Sequence, residues 1–151
     1  MPSVFDVAKY FLSRSELNSK LAITHLKLQK LVYYAQAWTL VIEGEENPIF
    51  PEHIEAWIHG PVCPVLYYDY RDYGFDVIKP VTEIDLKIFT ENQQRVLDAV
   101  WKAYGAYDGR YLEDLTHQEK PWKEARNGLR DSDQSNREIT HNSMREYYSS
   151  F

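Results

Sequence analysis

The chain has 151 residues and a net charge of −6 at pH 7, with 44% hydrophobic and 26% charged residues. This composition is typical of a folded globular protein and excludes a largely disordered chain. The negative charge argues against general binding of nucleic acid, because phosphates repel an acidic surface. Aromatic residues reach 15%, with twelve Tyr and four Trp, and these residue types are enriched at protein–protein interfaces.

The sequence has no feature of a secreted or membrane protein. Cys63 is the single cysteine, so an internal disulfide is impossible and a reducing compartment is favoured. The N-terminus lacks a signal-peptide pattern, and the longest apolar run, residues 31–42, is shorter than the about 20 residues of a membrane span. We therefore expect one domain, residues 1–151, in the cytoplasm, with no membrane partner.

Two helices are predicted at the start of the chain. Ser3 and Asp6 form a capping-box pattern that predicts a helix near residues 4–14. Thr24 is a favourable cap for a second helix, which we expect to end at Gly44. The second half of that helix is apolar on nearly all sides, which predicts a central helix inside the fold.

The middle of the chain changes from helical to extended character. Residues 48–51 and 54–59 are predicted to be short extended segments, and apolar residues alternate with polar ones in the second. Pro64 is tolerated in a first helical turn, so a third helix is expected from there to Gly74. Residues 75–81 are again predicted to be extended.

The second half of the chain is predicted to be mainly helical. The elements are, in order, a helix from Thr90 to Gly105 with a capping box at Thr90 and Gln93, short helices at about 110–117 and 121–128, a polar loop over 130–138, and a terminal helix capped by Thr140 with Met144, Tyr147, Tyr148 and Phe151 on one face. The predicted fold class is therefore mostly α (α+β), a compact helical domain around the central helix with a small β-hairpin or short sheet.

The charges are unevenly distributed. Residues 1–30 carry a net charge of +3, from five bases and two acids, whereas residues 43–76 carry −7, from eight acids and one base. Opposed patches of this kind could steer a charged protein partner. They could equally be ordinary solvated faces.

No catalytic or metal-binding motif stands out. None of the five histidines has the spacing of a zinc site, so no metal and no cofactor are predicted. We predict that the chain is not an enzyme. The alternative is a metal- or thiol-dependent hydrolase that uses His59, His117 or Cys63 with nearby carboxylates.

Several polar and aromatic residues have candidate structural roles. Gln29 and Gln36 lie on one face of the central helix, where each amide either cross-links backbone or faces a partner. Thr116 could cap the helix at Pro121 or end the preceding one. Trp122 and Arg126, at positions i and i+4, could stack.

The predicted partner-binding residues lie around the third helix. Four tyrosines within seven residues cannot all point into one core, because a helix spreads them around most of its circumference. Tyrosines rimmed by charge are typical of a protein-binding surface. The alternative is a cluster half-buried against the 54–59 strand. The predicted set is Trp57, Tyr67, Tyr68, Tyr70, Arg71 and Tyr73.

Three ordered motifs resemble a known family. The first runs from Ile23 to Trp38, the second is Glu55-Ala56-Trp57 followed by Gly60-Pro61-Val62, and the third runs from Leu115 to Arg126. Together they resemble the SocA-like, phage-associated antitoxin family that carries the Panacea domain. The motif positions interpreted as structural are Lys27, Leu28, Gln29, Lys30, Tyr33, Tyr34, Trp38, Gly60, Pro61, Thr116, His117, Glu119, Pro121, Trp122 and Arg126.

The resemblance implies an intracellular antitoxin of a type II toxin–antitoxin system, encoded on a prophage or other mobile element. Such a protein neutralises a cognate protein toxin by direct contact, either by occluding it or as an adaptor that delivers it to a ClpXP-type protease. The alternative within this resemblance is a phage accessory or regulatory protein without a toxin partner.

Overall fold

The computed structural model describes all 151 residues, which form seven α-helices and three short strands. The helices are α1 (Val4–Arg14), α2 (His25–Glu43), α3 (Pro64–Tyr70), α4 (Glu91–Tyr104), α5 (Gly109–Gln118), α6 (Lys120–Ala125) and α7 (His141–Tyr148). The strands are β1 (Ile54–Trp57), β2 (Gly60–Val62) and β3 (Glu138–Ile139), and 3₁₀ turns cover Arg71–Tyr73 and Leu86–Ile88. The predicted mostly helical α+β fold with a small sheet is confirmed.

Local capping interactions set the starts of α1 and α4. In α1, the Ser3 hydroxyl accepts from the backbone N–H of Asp6, and the Asp6 carboxylate accepts from the N–H of Ser3. Thr90 and Gln93 make the same reciprocal pair at the start of α4. Both predicted capping boxes are confirmed, because they depend only on residues three positions apart.

Helix α2 is the central helix, as predicted. It packs against α1, α4, α5, α7 and β2, and most of its side chains are buried. It ends at Gly44, which has a φ of 98°. The C-terminal end departs from the prediction of an apolar helix inside the fold: Ile42 is 61% exposed, and Trp38 is partly buried and packs against the core.

The sheet is antiparallel with the order β2–β1–β3. Strands β1 and β2 form a hairpin in which Trp57 pairs with Gly60. Strand β3 adds to the other edge of β1, with Ile54 opposite Ile139. The predicted loop over 130–138 therefore ends one residue early, since Glu138 belongs to β3. A strand of two residues is too short to show an alternating pattern.

Four other local predictions need correction. Residues 48–51 form no strand; instead the Gln36 side chain accepts from the N–H of Ile49 and donates to the carbonyl of Phe50. Residues 75–81 contribute only one isolated bridge, between Thr24 and Val77. Helix α6 ends at Ala125, before the predicted 128. The next residue, Arg126, instead directs its guanidinium to the carbonyls of Arg130 and Asp133. The aromatic residue at position 151 lies beyond the end of α7.

Candidate protein-binding surface

The β1–β2 hairpin is held by three side chains that come from α2, from α6 and from the residue that follows α6. The Trp122 indole N–H on α6 donates to the carbonyl of Trp57 at 2.8 Å. The Arg126 guanidinium donates to the carbonyl of Ala56 at 2.9 Å. On the other side, the amide oxygen of Gln29 accepts from the N–H of Cys63 at 2.9 Å. These bonds satisfy backbone groups that the short sheet leaves unpaired, and they fix the hairpin against the helices.

Arg126 also organises the loop that leads to β3. It is buried, and its second terminal nitrogen donates to the carbonyls of Arg130 at 3.0 Å and Asp133 at 2.5 Å. Its guanidinium carbon lies 4.9 Å from the centre of the Trp122 ring, so the stacking that the i, i+4 spacing suggested is present. One cation therefore connects the hairpin, α6 and the 130–133 turn.

Glu119 is a buried carboxylate that holds α2 and α7 together. Its Oε1 accepts from the hydroxyls of Tyr34 at 2.7 Å and Tyr148 at 2.8 Å, and the Tyr33 and Tyr148 hydroxyls lie 3.0 Å apart. Burial raises the pKa of Glu119, and the two tyrosine hydroxyls oppose that shift. The effect of this network is to join α2 to α7.

Two buried lysines on α2 have opposite surroundings. The Lys27 ammonium donates to the carbonyls of Lys20, Ala22 and Gly105, at 3.0, 3.0 and 2.6 Å. Lys30 is completely buried, and its Nζ has no hydrogen-bond partner in the protein. Burial lowers the pKa of Lys30 to about 7, although the nearby charge of Glu113 opposes the shift.

Lys30 lies directly under the hairpin at Gly60. Gly60 has a φ of 102°, and a Cβ at this position would lie 2.6 Å from Cε of Lys30 and 2.9 Å from Oγ1 of Thr116. Only glycine allows this close approach. The Thr116 hydroxyl donates to the carbonyl of Glu113 in its own helix at 2.7 Å, so the suggestion that its side chain caps a helix is wrong.

His117 completes the underside of the hairpin. Its imidazole stacks on the Trp122 indole, with ring centres 4.0 Å apart, and its Nε2 is buried without a partner. Burial lowers the pKa of His117. The neighbouring Pro61, in β2, and Pro121, at the start of α6, are also buried. Part of the motif set thus meets around the docked hairpin, namely Gln29, Lys30, Thr116, His117, Trp122 and Arg126.

The outer side of this hairpin continues into the predicted partner-binding residues, which we call the α3 surface (Trp57, Tyr67, Tyr68, Tyr70, Arg71 and Tyr73). The ring of Tyr67 packs between the hairpin and α2, with centroid distances of 5.0 Å to Trp57 and 5.1 Å to His25. Tyr70 is also half-buried. Tyr67 and Tyr70 are therefore half-buried, as the alternative interpretation of this cluster predicted, and they fix α3 to the rest of the fold.

The outer members of the α3 surface are open to solvent. Tyr68 is 61% exposed, and Arg71 lies over its ring with the guanidinium carbon 5.3 Å from the centroid. Tyr73 is 38% exposed and stacks on Tyr70 at 6.0 Å. The structure thus brings all six predicted residues to one region, with Tyr68, Arg71 and Tyr73 facing outward.

Phe75 is an exposed aromatic residue that the sequence reasoning missed. It is 98% exposed and directly follows Gly74, whose φ of 57° turns the chain at the end of the 3₁₀ turn. Phe75 begins the 75–81 segment that was predicted to be extended, but no strand forms there, so its side chain has no neighbouring strand to pack against. Three exposed acids lie near it in the sequence; they are Asp69, Asp72 and Asp76.

The residues considered for hydrolysis do not form an activated thiol. Cys63 is buried, and burial raises the pKa of its thiol to about 11, which keeps the sulfur protonated at neutral pH. His59 pairs with the carboxylate of Glu113 at 3.1 Å, and its ring is largely exposed. No group of three or more His, Cys, Asp or Glu side chains could hold a metal ion.

None of the seven helices has the length and apolar character needed to cross a bilayer. The structure is that of a mostly helical protein. Buried motif side chains hold a hairpin in place, and the aromatic and acidic α3 surface lies next to that hairpin. A family model described as the SocA-like antitoxin, Panacea domain, matches residues 28–123, which is well over half of the chain. The chain therefore belongs to the SocA-like antitoxin family with the Panacea domain, and the resemblance is confirmed. No curated protein and no solved structure matches it.

Proposed function

We propose that this protein is the antitoxin of a type II toxin–antitoxin pair and neutralises its toxin by direct contact through the α3 surface. Membership of the antitoxin-like family supports the class of function, and such membership implies a protein partner. In this proposal residues 1–151 act as one Panacea domain in the cytoplasm, without a metal, a cofactor or catalysis.

The observation that carries the surface assignment is the exposure of aromatic rings within an acidic rim. Tyr68 of the α3 surface is 61% exposed, and Phe75, two residues after Tyr73, is 98% exposed; the solvent-facing acids Asp69, Asp72 and Asp76 are close to them in the sequence. Large rings that are already positioned lose little conformational entropy on binding, so they serve as anchors. The acids favour a partner with a basic surface.

The buried bonds behind the surface support the same proposal. Within the α3 surface, the ring of Tyr67 packs on Trp57, which belongs to the hairpin. The carbonyls of that hairpin are fixed by hydrogen bonds from Trp122 and Arg126. A surface held in one geometry loses less free energy on binding than a mobile loop would. Rigid presentation therefore suits occlusion of a toxin, and we take occlusion as the primary mode.

The test is co-expression with the product of the reading frame next to this gene. We expect that product to arrest growth alone and to be tolerated together with the antitoxin. Replacing Tyr68 and Tyr73 by Ala should abolish protection and co-purification while the thermal melt stays unchanged. The matched control is Tyr107→Ala with Tyr111→Ala, an exposed stacked pair outside the α3 surface, which should keep full protection.

Two results would overturn parts of this proposal. A neighbouring product that neither arrests growth nor binds the chain would remove the antitoxin function and favour a phage accessory role. Equal loss of protection in the control pair would remove the α3 surface as the contact.

A second measurement distinguishes occlusion from proteolytic delivery. If the toxin's half-life in co-expressing cells lengthens when a ClpXP-type protease is deleted, the antitoxin delivers its toxin. If the half-life does not change while protection persists, the antitoxin occludes it.

A further inference from the structure

Glu55 bonds to its neighbours on the outer face of strand β1. The strand buries Ile54 and Ala56, so Glu55 and Trp57 share the opposite face, as the two-residue repeat of a strand requires. One carboxylate oxygen of Glu55 accepts from the indole N–H of Trp57 at 2.8 Å. The other lies 2.8 Å from Nε2 of His53, the residue before the strand. Both oxygens are therefore used by side chains near Trp57.

Three contacts act on Trp57, and each holds a different part of it. Its backbone carbonyl accepts from the Trp122 indole at 2.8 Å. One face of its ring packs on Tyr67, with centroids 5.0 Å apart, and the residue as a whole is only half-buried. The bond to Glu55 is the contact that holds the indole N–H, so it sets the direction in which the edge of the ring points.

The position of Glu55 in the sheet is electrostatically unfavourable. Glu55 lies opposite the exposed Glu138 of β3 in the antiparallel register. Residues directly opposite have their side chains on the same face with Cβ atoms about 5 Å apart, and like charges there destabilise a sheet. The side chain of Glu55 bonds to Trp57 and His53 and to no group of the core. What offsets the repulsion is therefore the placement of a half-buried indole.

We propose that Glu55 is a positioning residue of the α3 surface, and that its carboxylate holds the Trp57 indole in the orientation in which the ring meets the toxin. This inference rests on the proposed function and deepens it, because it names the residue that sets the geometry of one anchor. The side chain of Glu55 is only 15% exposed, so it acts through Trp57. A ring that is ordered before binding loses less entropy in the complex, and such effects are seen mainly in the dissociation rate.

The first arm of the test uses the free chain and NMR. We expect the indole N–H resonance of Trp57, assigned by its loss in Trp57→Phe, to lie downfield of that of an exposed indole, because its acceptor is a carboxylate. Glu55→Leu should move the resonance toward the exposed value. Glu55→Gln keeps an acceptor oxygen and should restore most of the shift. A thermal melt checks that each variant is folded.

Glu138→Gln is the matched control. It removes a negative charge from the same face of the sheet, directly opposite Glu55, but Glu138 has no bond to the indole. The Trp57 resonance should therefore stay in place in this variant.

The second arm measures the binding of the neighbouring gene's product by surface plasmon resonance. Glu55→Leu should raise the dissociation rate about two- to tenfold, the range expected when one large side chain must be ordered on binding. Glu138→Gln should leave the dissociation rate unchanged and at most lower the association rate, as the loss of a rim charge does. In a Trp57→Phe background, which has no indole N–H, Glu55→Leu should have no further effect on dissociation.

Three results would overturn the role of Glu55. They are a Trp57 resonance that does not respond to Glu55→Leu, a dissociation rate that is equal in wild type and Glu55→Leu, and an effect of Glu55→Leu that persists in full without the indole N–H. Failure of the proposed function is distinguishable from these, because the wild type itself then does not bind the neighbouring product. That result overturns the toxin contact, and the role of Glu55 in it, together.

Discussion

Replacement of Lys30 by Met should stabilise the protein, and most strongly at neutral and mildly acidic pH. The Lys30 ammonium is completely buried and has no hydrogen-bond partner. Methionine has a similar length and volume but no charge to desolvate, so it can occupy the same space beside Gly60. The free energy of unfolding should increase by the cost of removing the Lys30 amine from water in the native fold, since methionine has no such cost.

The magnitude follows from the pKa. Burial lowers the pKa of Lys30 from 10.5 to about 7, which corresponds to roughly 4–5 kcal/mol of lost stability at pH 6–7 at 1.36 kcal/mol per pH unit. Between these two pKa values the unfolded state binds more protons than the native state, so stability rises with pH across this window. At pH 9 the Lys30→Met advantage should therefore narrow to roughly 2 kcal/mol.

The assay is urea unfolding of both proteins at pH 6, 7, 8 and 9, with the difference in unfolding free energy plotted against pH. The difference isolates Lys30 from other groups that titrate in this range, such as Lys27, whose pKa is lowered to about 8. Lys27→Met is the matched control on the same helix: it leaves three carbonyls unpaired, so it should destabilise the fold.

Two outcomes would refute this reasoning about Lys30. A loss of stability at pH 7 in Lys30→Met would mean that the amine makes favourable interactions. A constant stability difference from pH 6 to 9 would mean that Lys30 titrates near its ordinary pKa and is hydrated in solution.

The parts of the fold that were predicted correctly are those with local causes. The starts of α1 and α4 were readable because their capping partners are three residues apart. The central position of α2 was readable because its apolar residues surround the axis. These signals need no knowledge of distant chain segments.

The errors occurred where a distant residue decides the structure. Residues 48–51 have an extended composition, but the Gln36 amide takes up their backbone groups in place of a neighbouring strand. Strand β3 exists only because β1 offers a free edge. For the α3 surface, composition predicted exposed aromatic rings correctly at Tyr68, but only the packing of His25 shows which rings are half-buried.

Three further substitutions test the docked hairpin and the α3 surface. Gly60→Ala should destabilise the fold by about 1–3 kcal/mol in urea unfolding, because its φ is 102° and the new Cβ meets Cε of Lys30. The control is Gly74→Ala, where nothing lies within 4 Å of the new Cβ, and its loss of stability should be smaller than that of Gly60→Ala. Arg126→Met should lose about 2–4 kcal/mol by thermal melting, since it leaves several buried carbonyls unpaired; an unchanged melting temperature would contradict its role in the hairpin. Tyr68→Ser should change stability by less than about 0.5 kcal/mol, and a larger loss would mean that the ring is buried in solution.

The division between inward and outward residues explains what membership of this family can predict. The motif side chains Gln29, Lys30, Glu119 and Arg126 are all buried, and they act on the hairpin or on neighbouring helices. Because these four side chains are buried, a partner that docks on the folded protein does not reach them, and their role is in the scaffold. We therefore predict that the choice of partner depends on exposed side chains, such as Tyr68 beside Asp69. Exchange of those exposed residues between two members of the family should transfer partner choice, while exchange of the buried ones should change only stability.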